Sequence, residues 1–203
     1  MFKRFMILGL LLLTAACSST RLTAVWADKS RSEPLKKVLV IGVSENLRDR
    51  RIFEDAVAAA LEKAGVEALS SAAVLPADHK LDKEKLKEAA RKYGLDAVMI
   101  TSVVGVEESE VYYPPSTTYV APPGYYHDMW SYYPRVYETY STPGYTVKYQ
   151  NLKLESNLYD VSSGALIWSA ASEAFDPASD IRKFSEALAR QFVASLRETG
   201  LVR

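Results

Sequence analysis

The order of apolar and polar positions predicts alternating strands and helices from residue 37 onward. Residues 38–43 read Val-Leu-Val-Ile-Gly-Val, a β-branched-rich run typical of a strand covered on both faces. Helical spacing of apolar residues and strand-like runs then alternate, with helices over 52–64 and 82–93 and strands over 66–72 and 96–106. This order predicts a three-stranded parallel core, because strand–helix–strand units are joined by right-handed crossovers.

The last third of the chain has a different pattern. In residues 152–158, leucines alternate with polar side chains, which is typical of a strand with one solvent-exposed face. After a turn at 160–164, residues 165–172 return as the antiparallel partner strand. Asp176-Pro177 predicts the start of a final amphipathic helix. The predicted fold class is therefore α/β, a three-stranded parallel core extended by an antiparallel hairpin and a C-terminal helix, in a single domain over residues 36–203.

The first residues have the features of an export signal. Lys3 and Arg4 form a short basic head, and residues 5–13 are uninterrupted apolar sequence. This run is shorter than the ~20 residues that a helix needs to span a bilayer. Small residues then lead to Cys17, the only cysteine of the chain. The sequence therefore predicts a signal peptide over residues 1–16.

Small residues before a lone cysteine resemble the bacterial lipobox. The resemblance implies that lipid is attached to the thiol of Cys17 and that cleavage occurs just before it. Ser18 follows the cysteine, which by the known sorting rule implies an outer-membrane anchor with the domain facing the periplasm. The alternative is a small buried cysteine in an uncleaved N-terminus. In either case a disulfide within the chain is excluded.

The segment that follows Cys17 is rich in serine, threonine and charged residues. We interpret residues 17–35 as the lipidated cysteine and a tether that holds the domain off the bilayer. Residues 22–26 alternate and include a tryptophan, so a short edge strand is the alternative for that part.

Charge excludes one class of partner. The chain has 25 basic and 25 acidic side chains, and loss of Lys3 and Arg4 with residues 1–16 leaves a net charge of −2. Nucleic-acid binding normally requires a strongly basic face. We therefore expect no nucleic-acid partner.

Several sequence stretches resemble known envelope lipoproteins. Residues 37–43, 50–55 and 64–68 resemble a family of uncharacterised bacterial outer-membrane lipoproteins, in which a Trp-containing segment like 25–28 precedes the first core strand. Residues 158–169 are similar to a sequence motif found across several groups of envelope lipoproteins. The element order is similar to the domain shared by the curli-secretion lipoprotein, the penicillin-binding-protein activator lipoprotein and the N-terminal part of the Tol translocation protein. Such likeness of fold does not transmit function.

Residues 112–149 form an unusual insert, which holds eleven of the 13 tyrosines. Its six prolines argue against a helix and against most sheet pairing, and its few aliphatic residues cannot form a core. One interpretation is a flexible, low-complexity hairpin tip. The other is a recognition loop for an envelope protein or a glycan, since tyrosine offers a rigid face and a polar tip. The candidate recognition residues are Tyr112, Tyr113, Tyr119, Tyr125, Tyr126, Trp130, Tyr132, Tyr133, Tyr137, Tyr140 and Tyr145.

Catalytic chemistry has little support in the sequence. His79 and His127 have no cysteine or clustered carboxylates at ligand spacing, so no metal site is expected. Glu107, Glu108 and Glu110 are interpreted as a solvated strand end, and would be an acid/base cluster only if they lined a pocket. We therefore predict no catalytic residue and no cofactor.

The combined prediction is a non-enzymatic lipoprotein of the cell envelope. It would be held at the membrane by its lipid anchor and would act in the periplasm as a binding, accessory or scaffold protein. The alternatives are a regulator of a peptidoglycan synthase, suggested by the resemblance to the activator lipoprotein, and a glycan-modifying hydrolase. The hydrolase would need two carboxylates that face one pocket. A pore-forming oligomer is disfavoured, because the proline-rich insert lacks the apolar alternation of a barrel strand pair.

Overall fold

The computed structural model describes residues 20–31, 33–75, 83–119, 129–130 and 139–203. The chain divides into two compact units. We call residues 1–107 and 151–203 the body, and residues 108–150 the ribbon. The predicted signal peptide, Cys17, His79 and His127 lie outside the described residues.

Strands and helices alternate along the described chain much as predicted. The elements are β1 (Thr20–Ala27), β2 (Lys37–Val43), α1 (Leu47–Lys63), β3 (Glu67–Ser70), α2 (Ser71–Val74), α3 (Lys83–Tyr93), β4 (Ala97–Tyr113), β5 (Ser116–Tyr119), β6 (Thr139–Thr142), β7 (Tyr145–Asp160), β8 (Leu166–Phe175) and α4 (Ile181–Glu198).

Six strands form one mixed sheet in the order β1-β8-β7-β4-β2-β3. β2 pairs in parallel with both β3 and β4, which confirms the predicted parallel core. β7 and β8 pair antiparallel, which confirms the predicted hairpin. In the body, Thr101 of β4 contacts Ser156 of β7 while Glu107 contacts Lys153. The contacts run in opposite order along the two strands, so β4 and β7 are antiparallel where the parallel core meets the hairpin.

Helices cover the sheet on both faces. Alternate residues of β2 point to opposite faces, and Val38 and Val40 join a cluster with α1 and α4, whereas Leu39 and Ile41 join a cluster with α3. The larger cluster includes Trp168, Phe192 and Leu188, which are fully buried.

Local chemistry explains the ends of α1. The side-chain oxygen of Asn46 accepts hydrogen bonds from the backbone N–H groups of Arg48 and Asp49, which are orphan donors at a helix start. Gly65, just beyond the helix, has a φ of +87°. This left-handed conformation suits glycine because it has no Cβ.

The start of α4 differs from the prediction. Asp176-Pro177 opens a 3₁₀ helix over Pro177–Asp180, and α4 itself begins at Ile181. Asp180 is the N-cap, and its carboxylate accepts a hydrogen bond from the backbone N–H of Lys183. The N-cap of α4 therefore lies about one turn later than predicted. Proline at residue 177 fits the first turn of the 3₁₀ helix as well as it would fit the first turn of an α-helix.

Residues 20–27, within the range interpreted as a tether, form the edge strand β1. β1 pairs antiparallel with β8 from Thr20↔Ala174 to Ala27↔Trp168, with a shift in register between Leu22 and Ala24. This matches the edge-strand alternative for residues 22–26, since Leu22 also packs against the larger core cluster.

The expectation that prolines prevent most sheet pairing in the insert is wrong for the described residues near both ends of the insert. β4 extends to Tyr113 and β7 begins at Tyr145, while β5 and β6 pair with each other in a separate two-stranded sheet. Pro114, Pro115 and Pro143 lie between these strands, where no ladder hydrogen bond requires their missing N–H.

Candidate functional site

One side of the ribbon carries charged and polar side chains. The Glu110 carboxylate lies 2.7 Å from Nζ of Lys148, and Nε2 of Gln150 donates to Oε1 of Glu108 over 3.3 Å. These four residues come from facing positions on β4 and β7. We call this side the polar face.

The opposite side of the ribbon carries tyrosine and valine. The rings of Tyr113 and Tyr145 stack with centroids 5.1 Å apart and planes 15° apart. The hydroxyls of Tyr113 and Tyr149 share a hydrogen bond of 3.2 Å. We call these three residues the tyrosine cluster. Together with Val111 and Val147, which alternate with the polar residues along the same strands, they form the aromatic face.

The aromatic face is accessible in the ribbon. Tyr145 is 52% exposed, Val111 is 42% exposed and Tyr113 is 39% exposed, while Val147 and Tyr149 are half-buried. Valine and tyrosine favour strands because their side chains pack well on a pleated surface. The same residues therefore build the strands and supply the exposed rings.

Tyr112 lies beside the tyrosine cluster in sequence but on the side of the polar face. A Cβ at Gly144 would collide with its hydroxyl and would lie 3.0 Å from Cδ of Pro115. Glycine at residue 144 therefore lets the phenol of Tyr112 pack closely where β7 begins. The rest of Tyr112 remains open, with 62% of the side chain exposed.

The structure places some of the predicted recognition residues, while their role in recognition stays a prediction. It brings Tyr113 and Tyr145 together with Tyr149, and places Tyr112 on the other side. Trp130 is 80% exposed. Tyr119 and Tyr140 belong to the paired strands β5 and β6, but their side chains are not among those described. The remaining candidates lie outside the described residues: Tyr125, Tyr126, Tyr132, Tyr133 and Tyr137.

The body contains a buried ionic cluster that sequence reasoning missed. Glu54 of α1 is fully buried and forms a salt bridge of 2.9 Å with Nε of Arg50. The same carboxylate accepts from the hydroxyls of Ser70 and Ser71, at 3.0 and 2.6 Å, and from the backbone N–H groups of Gly42 and Ala72, at 2.8 and 2.7 Å. We call these residues the Glu54 cluster.

The geometry of the Glu54 cluster indicates a structural role. Both carboxylate oxygens are already hydrogen-bonded to groups of the protein, so neither is available for substrate or proton transfer. The bonds tie α1 to the ends of β2 and β3. The only sequence clue is the Arg50/Glu54 spacing of four, which is also common on exposed helix faces.

A glycan hydrolase would need two carboxylates that face one pocket, and one groove of the body has two carboxylates in its lining. The groove, about 370 Å³ in volume, is lined by Glu107 and Glu173 together with Lys153 and Arg21. Glu173 pairs with Arg21 at 3.0 Å, and Glu107 pairs with Lys153, whose pKa is raised chiefly by that hydrogen bond. The four charges alternate across four adjacent strands. Each carboxylate is therefore paired with a cation, and both side chains stay exposed, Glu107 at 61% and Glu173 at 42%.

Arg31 joins three elements at another end of the body. Its guanidinium binds the carboxylate of Asp160 and lies 3.7 Å from that of Asp96. The hydrogen bond from Ser162, then those from Ser163 and Arg31, hold the pKa of Asp160 far below its usual range although burial opposes them. Asp96 also accepts from the backbone N–H groups that begin β2. These contacts fix the chain between β1 and β2 in place.

Within the part of the chain that the structure describes, no group of three or more His, Cys, Asp or Glu side chains is arranged to hold a metal ion. Among the same residues, no helix combines the length and apolarity needed to cross a bilayer.

Comparison with known proteins gives only distant likeness. No family model matches the chain, and no curated protein matches it. Among solved structures, a PelC dodecamer from Paraburkholderia phytofirmans is 18% identical over 91% of this chain and 97% of that chain, with a TM-score of 0.44. Lipoprotein GNA1162 from Neisseria meningitidis is 14% identical over 80% of this chain and 96% of that chain, with a TM-score of 0.41. A PDZ domain protein from Parabacteroides distasonis has a TM-score of 0.35 at 10% identity, over 91% of this chain and 39% of that chain.

Two of these structural neighbours, PelC and the lipoprotein GNA1162, match over nearly their whole length. At these identities and TM-scores the likeness carries no argument about function. The resemblance to the uncharacterised outer-membrane family therefore stays a prediction from the sequence.

Proposed function

We propose that the protein is a lipid-anchored accessory protein of the bacterial envelope that binds a partner through the tyrosine cluster of its ribbon. In this proposal Cys17 carries the lipid and the anchor lies in the outer membrane. The body faces the periplasm and performs no catalysis. The observation that carries the proposal is the cluster itself, in which Tyr113 stacks on Tyr145 and shares a hydrogen bond with Tyr149 on an accessible face.

A binding role is supported by the difference between the carboxylates of the body, which already have partners in the protein, and the exposed tyrosines of the ribbon. In the body the carboxylates of Glu54, Asp160 and Glu173 are each engaged by cations or hydroxyls of the protein. On the ribbon, the ring of Tyr145 is more than half exposed. Rigid, exposed tyrosines provide contact area at small entropic cost, which is typical of recognition surfaces.

The anchor supports the same role by restricting the protein to a surface. A single acyl chain gives only marginal membrane binding, and stable anchoring needs more than one. Lipoprotein processing of Cys17 would supply several chains. A tethered domain then meets envelope partners at high effective concentration, so modest affinity through a small surface is sufficient.

The anchor is tested by metabolic labelling with a fatty acid and by membrane fractionation. Wild-type protein is expected to be labelled and to sediment with outer membranes, whereas Cys17→Ser is expected to lose both properties. A Cys17→Ser variant that still sediments with outer membranes would contradict the anchor.

The binding surface is tested in living cells by photo-crosslinking. A photoreactive phenylalanine analogue replaces Tyr145 on the aromatic face, and Tyr112 or the exposed Asp55 of α1 in two control proteins. We expect adducts at residue 145 that are at least several-fold stronger than at the controls. Equal adducts at all three positions would show that the tyrosine cluster is not the contact surface.

A further inference from the structure

We propose that the aromatic face binds an uncharged glycan strand, which stacks on the outer face of Tyr145 and hydrogen-bonds to the phenol hydroxyls of Tyr113 and Tyr149. This inference rests on the proposed function and names the class of its partner. Four features of the described ribbon carry it: the distribution of charge, the dimensions of the face, the chemistry of the rings and their rigidity.

The distribution of charge selects a neutral ligand. The five described residues of the aromatic face are tyrosine and valine, so the face carries no carboxylate, ammonium or guanidinium group. The charged residues of this part of the ribbon, Glu108, Glu110 and Lys148, lie on the polar face. An anionic partner on the aromatic face would lose hydration without gaining a counter-charge. An uncharged partner has no ionic hydration to lose when it binds there.

The dimensions of the face favour a narrow ligand over a folded protein. Residues 145–149 span roughly 17 Å at ~3.4 Å per residue, and the two strands lie ~4.8 Å apart. With a width of ~4.8 Å for each of the two strands, the described strip covers about 160 Å², whereas a stable protein–protein interface buries ~800 Å² on each partner. An extended chain of sugar rings has a comparable width and needs no larger surface.

The chemistry of the rings matches that of a sugar. One side of a pyranose presents C–H groups, which pack on an aromatic face, and its rim presents hydroxyls. A phenol hydroxyl both donates and accepts hydrogen bonds, so it can bond to either kind of sugar oxygen. The tyrosine cluster offers the outer face of Tyr145 beside two hydroxyls 3.2 Å apart.

The cluster is also pre-organised. Tyr113 is held by the stacked ring of Tyr145 on one side and by its hydrogen bond to Tyr149 on the other. Side chains that are already ordered lose little entropy when a ligand binds. A small surface can therefore bind a glycan with measurable affinity.

The test titrates the mature, lipidated protein in detergent micelles with a β-1,4-linked N-acetylglucosamine hexamer and follows binding by calorimetry. We expect saturable binding that Tyr145→Ala weakens at least about tenfold and that Tyr113→Phe, which keeps the stack and loses one hydroxyl, weakens by less. Tyr112→Ala, on the polar face, is the matched control and should change the affinity by less than about twofold. Each variant is first shown by circular dichroism and thermal melting to be folded.

A second ligand tests the neutrality of the partner. An oligogalacturonate of the same length carries one carboxylate on each sugar, and we expect it to bind at least about tenfold more weakly than the neutral hexamer. Equal binding of both oligomers would overturn the inference that the face selects an uncharged strand.

The outcomes separate this inference from the proposed function. Absence of hexamer binding at millimolar concentration, or equal loss in Tyr112→Ala and Tyr145→Ala, would overturn the glycan inference. If residue 145 nevertheless crosslinks in cells to a protein, the partner is a protein, so the glycan inference fails and the proposed function stands. If neither oligosaccharide binding nor crosslinking depends on Tyr145, both fail.

Discussion

The body and the ribbon use the same kind of side chain in opposite ways. In the body, Trp168 is fully buried, packs edge-on against Phe192 with ring centroids 5.5 Å apart, and donates its indole N–H to Ser195 over 3.1 Å. In the ribbon, Tyr113 and Tyr145 stack on each other but keep large exposed areas. A covered ring contributes to stability through the area it removes from water. An open, fixed ring leaves that area available for a partner.

The ionic groups of the two units also differ in whether they are buried or exposed. Glu54 of the body is fully buried, and its carboxylate accepts hydrogen bonds from backbone and side-chain groups of the protein. Glu110 and Lys148 of the ribbon form a pair with more than half of each side chain exposed. Removal of one partner from a buried pair leaves an uncompensated charge, whereas exposed pairs contribute ~0–1 kcal/mol. Stability and recognition should therefore be separable by mutation.

The largest effect is expected from Glu54→Ala. The change leaves the guanidinium of Arg50 buried without its counter-charge, and it removes the acceptor of the backbone N–H groups of Gly42 and Ala72. We expect a loss of ~3–5 kcal/mol in the free energy of unfolding, measured by urea denaturation. The matched control is Asp55→Ala, which breaks the exposed pair with Arg51 and should cost less than ~0.5 kcal/mol. Similar losses in both variants would remove the distinction between buried and exposed pairs.

A smaller loss is expected from Trp168→Phe. The variant keeps an aromatic ring, but it leaves a cavity in the core and removes the hydrogen-bond donor of the buried hydroxyl of Ser195. We expect a cost of ~2–3 kcal/mol in urea denaturation. Tyr113→Phe in the ribbon, which also removes one hydrogen-bonding group, should cost less than ~1 kcal/mol because water replaces the lost bond. If Tyr113→Phe cost as much, the ribbon would have to be treated as part of the stabilising core.

Asp160→Asn is expected to lower the free energy of unfolding by ~1.5–3 kcal/mol at neutral pH. The variant loses the negative charge of residue 160, and with it the salt bridge to Arg31. The pKa of Asp160 is lower in the folded than in the unfolded protein, chiefly because Ser162 donates to the carboxylate. Its stabilisation is therefore complete above the unfolded-state pKa of ~3.9 and is lost as the pH falls below that value toward the folded-state pKa. The difference between wild type and variant in urea denaturation should shrink from pH 5 to pH 2. A difference that stayed constant over this range would contradict the assignment.

The smallest effect on stability is expected from Tyr145→Ala. The change removes one member of an exposed aromatic pair, whose contribution is ~0.5–1.5 kcal/mol at most. We expect the thermal unfolding of the body to change little, while crosslinking and glycan binding at the ribbon change strongly. A large fall in the melting temperature of the body, with binding unchanged, would reverse the roles assigned to the two units.

Much of the body was predictable because its burial pattern is periodic. The continuous apolar run of β2 and the alternation along β7 follow directly from how many faces of each strand are covered. The Glu54 cluster was not predictable, because its donors come from Gly42 of β2 and from residues 70–72 where β3 meets α2, two stretches that are far apart in sequence. Only the packing of α1 against the strand ends brings them together.

The insert shows where reasoning from composition fails. Its prolines argue against pairing, yet β5 and β6 pair, because Pro115 and Pro143 occupy positions between strands. Composition records how many prolines a segment has, while pairing depends on where each of them falls. Composition also does not say which tyrosines share a face. The predicted recognition set includes Tyr112 and not Tyr149, whereas the structure joins Tyr149 to Tyr113 and places Tyr112 on the other side.

The sequence by itself determined the order of strands and helices, the parallel core, the antiparallel hairpin and the concentration of tyrosine in one segment. The tertiary structure decided which tyrosines share a face with one another and which side chains stand opposite them. The physical reason is that side chains of a strand alternate between faces, so that a slip of one residue in pairing exchanges the two faces completely. The register of β4 against β7, which places Glu110 opposite Lys148 and Tyr113 beside Tyr145, therefore separates the charged face of the ribbon from the aromatic one.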